Sequence, residues 1–327
     1  MSTPAQSVLH PAGPDAAIIG QFAWVMFGAG TLIFIAVMAL LALGLRGGPR
    51  PVRPLRWIAG AGVAFPVVVL SALLAWSTWR SAQLTTQSSQ QSLVISVTAK
   101  MWWWEVRYHD RASGREAVTA NEIHIPAGRP VYLGLTTSDV IHSLWVPALG
   151  GKRDMVPGRV TGLTLHADKP GLYRGQCAEF CGQQHARMAL HVVAETAPQF
   201  DAWLARQLAP AAAPKNAFLA RGRQVFIDQR CGACHTLRGG AGMAGMAGMA
   251  GVAGVAGVAG EPRLGPDLTH VGSRLHIAAG TLRTHRGTLA GWIADPQAIK
   301  PGARMPAAAD LDGESLRALA AYLAHLQ

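Results

Sequence analysis

Two long apolar runs dominate the first quarter of the chain. From Ile18 to Leu45, and again from Trp57 to Trp79, no charged side chain occurs. Each run reaches the ~20 residues that a helix needs to cross a bilayer. A cleaved signal peptide would show a basic start and an apolar stretch of only about 7–15 residues. Residues 1–17 carry no Lys or Arg, so two membrane helices at about 18–45 and 57–79 are predicted. Trp57, Trp76 and Trp79 sit where interfacial aromatics anchor a span. Pro66 is tolerable there, because neighbouring groups in a membrane helix re-satisfy the freed carbonyl. Between the runs stand Arg46, Arg50, Arg53 and Arg56 and no acid. The positive-inside rule then puts this loop in the cytoplasm, and the N-terminus and everything after Arg80 outside.

Beyond the Ser/Thr/Gln-rich residues 81–91 the period changes. LVISVTAK, EVRY, NEIHIPAG, RPVYLGLTTS, RVTGLTLHA and MALHVVAE are short β-branched runs separated by Gly, Pro, Asn and Asp. Regularly spaced short strands of this kind predict an all-β sandwich or barrel over residues 92–194. Met101-Trp102-Trp103-Trp104 interrupts the pattern. Adjacent strand residues face opposite sides, so at least one of these rings is expected to be exposed. Residues 195–216 read as a short amphipathic helix from Pro198 to Leu208, followed by an Ala/Pro linker of semi-stiff character. Residues 217–327 form a third, helical domain. In it Leu316, Leu319, Tyr322 and Leu323 recur at helical spacing, suited to docking on a helix from Phe218 to Ile227. Within this domain, residues 242–260 repeat Gly-Met-Ala and then Gly-Val-Ala. A Gly period of three without Pro excludes collagen and leaves a flexible insert.

Composition adds partners by exclusion. Half of the residues are hydrophobic and 14% are charged, which fits a membrane segment joined to globular parts. The net charge of +11 is spread thinly: residues 1–91 carry 5 basic and 1 acidic side chains, 92–194 carry 11 and 8, and 217–327 carry 11 and 7. No compact basic cluster marks an outer-domain surface, so nucleic acid is not implied.

The chemistry lies in two short stretches. Cys177, Cys181, His185 and Met188 fall within twelve residues. Thiolate and thioether donors select soft metals such as Cu(I), and imidazole suits copper further. One Cys would suffice for a single blue copper, so the second suggests two thiolates bridging a pair. A disulfide is the rival use of the two thiols outside the cytoplasm. The second stretch, Cys231-Gly-Ala-Cys234-His235, is the C-x-x-C-H signature of covalent c-type haem attachment. A thioredoxin-like dithiol is its rival, but no βαβ pattern surrounds it.

The run GQCAEFCGQQHARM, together with VIHSLWVP upstream, resembles the CuA site of cytochrome c oxidase subunit II. That resemblance implies a cupredoxin-like Greek-key sandwich. It also implies a binuclear copper site held by His142, Cys177, Cys181, His185, Met188 and the backbone carbonyl of Glu179. The Glu179 carboxylate would share Mg or Mn with subunit I, and electrons would enter toward copper at Trp102. Met101 and Trp103 depart from the family's usual Gln and Tyr around that Trp. Residues 16–104 contain no Asp or Glu, so the carboxylate that many members place at a proton-channel mouth has no counterpart. Gly265-Pro266-Asp267-Leu268 and the segment from Trp292 to Pro306 resemble class I cytochromes c. There His235 and Met305 would be the axial ligands, and Met243, Met246 and Met249 the rivals to Met305. Together the resemblance implies subunit II of a caa-type oxidase: a membrane α-helical hairpin, a CuA sandwich and an all-α cytochrome c domain. Its expected partners are subunits I and III, and an upstream cytochrome c or cytochrome bc complex as donor. Its expected location is a bacterial inner membrane, with the globular parts on the periplasmic face. A CuA subunit of a nitric oxide reductase and a copper-delivery protein are the alternative readings.

Overall fold

The computed structural model describes residues 5–48, 53–84, 93–109, 114–239 and 264–327. The Gly-Met/Val-Ala repeat at 242–260, with Met243, Met246 and Met249, lies outside the described residues, as do Arg50 and most of the linker before the sandwich.

Helix α1 (Pro14–Arg46) opens with Pro at its first position and Asp15 in its first turn, and closes with Arg46 in its last. Each charge suits the helix end it occupies. Helix α2 (Pro54–Trp57) runs through a π-helical stretch (Ile58–Ala64) into α3 (Phe65–Ser81). Pro66 cannot donate a backbone N–H, and the helix widens over the turns before it. The helices Pro14–Arg46 and Pro54–Ser81 are both long and apolar enough to cross a membrane. Their large side chains, such as Leu32, Phe34, Val68 and Leu74, are exposed along both.

The strands are β1 (Leu93–Lys100), β2 (Trp103–His109), β3 (Glu116–Ala120), β4 (Glu122–Pro126), β5 (Val131–Thr137), β6 (His142–Trp145), β7 (Arg153–Met155), β8 (Thr161–Leu165), β9 (Gly171–Cys177) and β10 (Ala189–Glu195). Among the described residues they form two five-stranded sheets, ordered β3-β2-β1-β5-β8 and β4-β10-β9-β6-β7. Burial alternates along β1 and β5, which sends Ile95, Val97, Leu133 and Leu135 into the shared core. The period-two pattern thus becomes a sandwich because each sheet must bury one face.

The segment before α1 also belongs to the sandwich. Ala5 accepts from the Arg174 amide (3.0 Å) and donates to the Leu172 carbonyl (2.9 Å), occupying an edge of β9 that β6 leaves open. At Gly13 a Cβ would lie 2.1 Å from the His166 carbonyl oxygen, so the chain can pass there only as glycine.

Helix α4 (Ala197–Gln207) begins with a Thr196–Gln199 capping box. It buries Phe200 and Trp203 in the sandwich core, and Trp203 stacks on His124 at 4.0 Å. The Ala/Pro segment that follows is not a free tether. Ala211 donates to the Arg238 carbonyl (2.8 Å), while Ala209 and Ala213 accept from His270 and His325 (3.0 Å each).

The last domain contains α5 (Ala217–Asp228), a short hairpin of β11 (His276–Ile277) and β12 (Leu282–Arg283), and α6 (Arg286–Ala294), α7 (Pro296–Ile299) and α8 (Gly313–His325). Helix α5 crosses α8 at Gly222, where a Cβ would fall 2.0 Å from the Ala318 carbonyl oxygen. Leu319, Tyr322 and Leu323 of α8 are buried in this second core, with Val225 and Phe226 of α5.

Candidate functional site

The loop between β9 and β10 carries the first site. Antiparallel pairing of these strands sets Cys177 and Ala189 at the two mouths of the loop. The loop therefore starts and ends on fixed backbone, as a functional loop on a rigid scaffold requires. Pairing of β6 with β9 sets Leu144 opposite Cys177, which brings His142 alongside the loop. Both thiols are free and buried, with Sγ atoms 3.8 Å apart. That is far beyond the ~2.05 Å of a disulfide. Cys177 Sγ lies 3.7 Å from His142 Nδ1 and 3.2 Å from the Glu179 carbonyl oxygen. Cys181 Sγ lies 3.7 Å from His185 Nδ1 and 3.9 Å from Met188 Sδ. Each sulfur thus has its own imidazole and its own weaker donor. This near-symmetric soft donor set fits copper, and fits two metal positions better than one.

The thiol–thiol contact holds the Cys177 thiol well below the usual range and pushes that of Cys181 up. A metal bound by both sulfurs would displace the thiol protons. Asp139, which the sequence reading did not single out, holds His142 in place: its Oδ1 lies 2.8 Å from His142 Nε2. Burial disfavours the charged imidazole, but the bonds to Asp139 and Cys177 outweigh it and raise the His142 pKa. A carboxylate on the far nitrogen fixes the ring so that Nδ1 faces the sulfur. Its only sequence signal is the Asp three residues before His142. The Glu179 carboxylate, by contrast, lies 3.3 Å from Lys152 Nζ.

The tryptophan run divides three ways. Trp104 is in the sandwich core and Trp102 is half-buried. Trp103 lies under the Lys100 ammonium, which is 4.9 Å from its ring centroid. None of the three rings is exposed, contrary to the expectation for the run, because Ala279 of the last domain covers Trp103. Trp102 Nε1 donates to the Cys181 carbonyl at 2.8 Å, and Asp139 Oδ2 accepts from the Met101 amide at 2.7 Å.

The second site is a cavity of ≈ 440 Å³ lined by Cys231, Cys234, His235 and Met305. Trp102 and Gln184 of the sandwich close one side of it. Pro266 accepts at 2.8 Å from His235 Nδ1, which leaves Nε2 for a ligand. Burial lowers the His235 pKa, keeping the ring neutral and able to coordinate. A Cβ on Gly265 would lie 2.5 Å from His235 Cε1, so a glycine alone permits this approach. Two thiols, a neutral His and a thioether around an apolar cavity fit a covalently bound haem.

A soft-donor loop on a β-sandwich, followed by a C-x-x-C-H motif on a helical domain, defines the class of membrane-anchored cupredoxin–cytochrome metalloproteins. Comparison with known proteins narrows the class. Residues 109–196 match the family "Cytochrome C oxidase subunit II, periplasmic domain" and residues 219–327 match "Cytochrome c". A cytochrome c oxidase subunit 2 of Alkalihalophilus pseudofirmus is 38% identical over 72% of this chain and 62% of its own length. The "Probable cytochrome c oxidase subunit 2" of Rickettsia bellii is 30% identical over 60% of this chain and 78% of its own. The chain belongs to the cytochrome c oxidase subunit II family, in the form that carries a fused cytochrome c domain. It spans about three fifths of the length of the first curated relatives it matches. The periplasmic domain of subunit II of the Bradyrhizobium japonicum cytochrome oxidase is 28% identical, over 38% of this chain and all of that one, with a TM-score of 0.34.

Proposed function

We propose that this chain is the subunit of a haem-copper terminal oxidase that receives electrons from outside. It would accept them through its fused c-type haem and pass them to binuclear CuA. They would then go to haem in subunit I, where oxygen is reduced to water with proton pumping. One observation carries the reading: the cavity of the cytochrome domain opens onto Trp102, whose indole N–H is bonded to the carbonyl of Cys181. When bound, the copper pair and the haem each supply a one-electron redox change. The chain's own residues do the rest. Cys177, Cys181, His142, His185, Met188 and the Glu179 carbonyl would hold the copper pair. Asp139 orients His142, and burial of the thiols excludes water. Cys231 and Cys234 would anchor the haem, His235 and Met305 would bind its iron, and Pro266 fixes the His235 ring.

A Mg or Mn ion shared with subunit I would use the Glu179 carboxylate after displacing Lys152 from it. Oxygen ligands and few carboxylates suit such hard cations. Partners would be subunits I and III within a bacterial inner membrane, with a cytochrome c or a cytochrome bc complex as donor. The four-arginine loop would stay cytoplasmic and both globular domains periplasmic. Metal and haem counts on the purified complex, with spectra and gas consumption, test this. Expected are a mixed-valence copper pair for each covalent haem and uptake of oxygen. Nitric oxide consumption without oxygen uptake, or labile copper without a mixed-valence signal, would sink it.

A further inference from the structure

The two redox loops touch each other. Lys300, five residues before Met305, is 3% exposed, and its Nζ donates across the domain seam to the Arg187 carbonyl at 2.9 Å. The same ammonium donates to the Ala278 carbonyl within its own domain at 3.3 Å. In return, the Arg187 guanidinium donates to the Ile299 carbonyl at 2.5 Å, and the Gln184 side chain donates to the Pro301 carbonyl. Gln184 and Arg187 flank His185 and Met188 on the copper-site loop. A buried ammonium is expensive unless its donors are used. Here both its acceptors are carbonyls, one from each domain, so the ammonium is satisfied only while the domains are together. The seam continues away from the loops. Ala189 donates to the Ala279 carbonyl (3.1 Å), and Glu122 Oε1 accepts from the Leu275 amide (2.5 Å). The linker into the domain is itself bonded down, as described above. Nothing in this arrangement resembles a domain swinging on a tether.

We propose that Lys300 is a positioning residue that keys the axial-methionine loop onto the copper-site loop. It thereby fixes the cytochrome domain in one docked pose, with its crevice against Trp102. This deepens the functional reading above and rests on it. Transfer between the two sites then starts from a standing complex, without a search step, and an external donor must approach the cytochrome domain from a side other than this one.

The test uses the full chain in its purified complex, with Lys300→Ala and, from the other side of the seam, Arg187→Ala. Amide hydrogen exchange at Ala189 and Leu275 reads domain separation directly, whether or not copper and haem are loaded. Losing a charged, buried hydrogen bond should lower protection of both amides by about tenfold or more in Lys300→Ala. Arg187→Ala should lower it in the same direction by less, since that side chain is exposed. In the same Lys300→Ala sample, reduction of the haem by a small reductant should keep its rate, and haem and copper spectra should be unaltered. Transfer from haem to copper should slow. Unchanged protection and unchanged transfer in both variants would overturn the proposal. Slower transfer with altered spectra would also overturn it, because the effect would then lie in the sites. Wild-type complex lacking haem or copper would defeat the functional reading instead, while the exchange measurement would still decide the seam.

Discussion

At the scale of single residues, the sulfur atoms decide what can be tested. Cys181 stands between Cys177, His185 and Met188, its sulfur within 4 Å of a donor atom of each. Cys181→Ser replaces a soft bridging donor with a hard, weak one, so we predict loss of the mixed-valence copper pair. Electron spin resonance of the complex is the check, and an unchanged copper signal would refute the assignment. Met305 lines the cavity beside Cys231, Cys234 and His235, in the segment that resembles the axial-methionine loop, whereas Met101 reaches the cavity from the sandwich side. Met305→Ala should leave the haem attached through Cys231 and Cys234. It should abolish the methionine-to-iron charge-transfer band and lower the haem potential, since a Met/His pair raises it. If the band survives in Met305→Ala and vanishes when Met243, Met246 and Met249 are replaced together, the ligand is in the repeat. Asp139 shows what residue-level reading misses. An aspartate in a loop is unremarkable until folding sets its two oxygens on His142 and on the amide of Met101.

Elements bring a different kind of consequence, because β10 and β11 meet across the domain seam. His191 and His276 stack with ring centroids 4.2 Å apart, and the Nδ1 of each is buried without a hydrogen-bond partner. Burial, with help from His276 and Arg174, pushes His191 down to about 4. Burial also lowers His276, where Arg283 and Arg174 add to the effect and Glu122 opposes it. Both histidines therefore bind protons more weakly when docked than when solvated at about 6.5. Their contribution to docking is complete above that value and is lost as pH falls from there toward about 4 for His191. We predict that protection of the Ala189 amide, corrected for intrinsic exchange, is lower at pH 5 than at pH 7. Equal or greater protection at pH 5 would show that Glu122 dominates the pair.

For the whole molecule, the proposed function turns on how electrons would reach the sandwich that carries the candidate copper site. Charge complementarity speeds encounter between separate proteins and fades as salt screens it. With 11 basic and 8 acidic side chains, residues 92–194 carry no acidic excess to attract a basic donor. On the proposed function, the fused domain would make encounter intramolecular, and a seam keyed by Lys300 would make it standing. Flash-initiated transfer from haem to copper should therefore depend only weakly on salt over a tenfold range. Deleting residues 217–327 should remove most turnover with physiological donors, and soluble basic cytochrome c should restore it poorly. A steep salt dependence, or full rescue at low cytochrome concentration, would make the fused domain dispensable.

What the sequence determined by itself was local. Spacing alone marked the two apolar spans, the short alternating strands and the two helices that meet at Gly222. The donors, too, were legible: soft side chains crowded into twelve residues, and C-x-x-C-H, carry their chemistry wherever the chain puts them. Tertiary structure decided everything that depends on residues far apart. It put Asp139 behind His142, and it left none of the three adjacent tryptophans exposed, with Trp103 buried under Ala279. It also tied an apparent Ala/Pro tether to Arg238, His270 and His325. Lys300 stands in the segment from Trp292 to Pro306, and no local pattern there marks it for burial. Its burial depends on two carbonyls more than twenty residues away from it, one of them in another domain. Periodicity records which face of an element is apolar, but contacts between faces follow from packing the whole chain at once, and no local pattern encodes them.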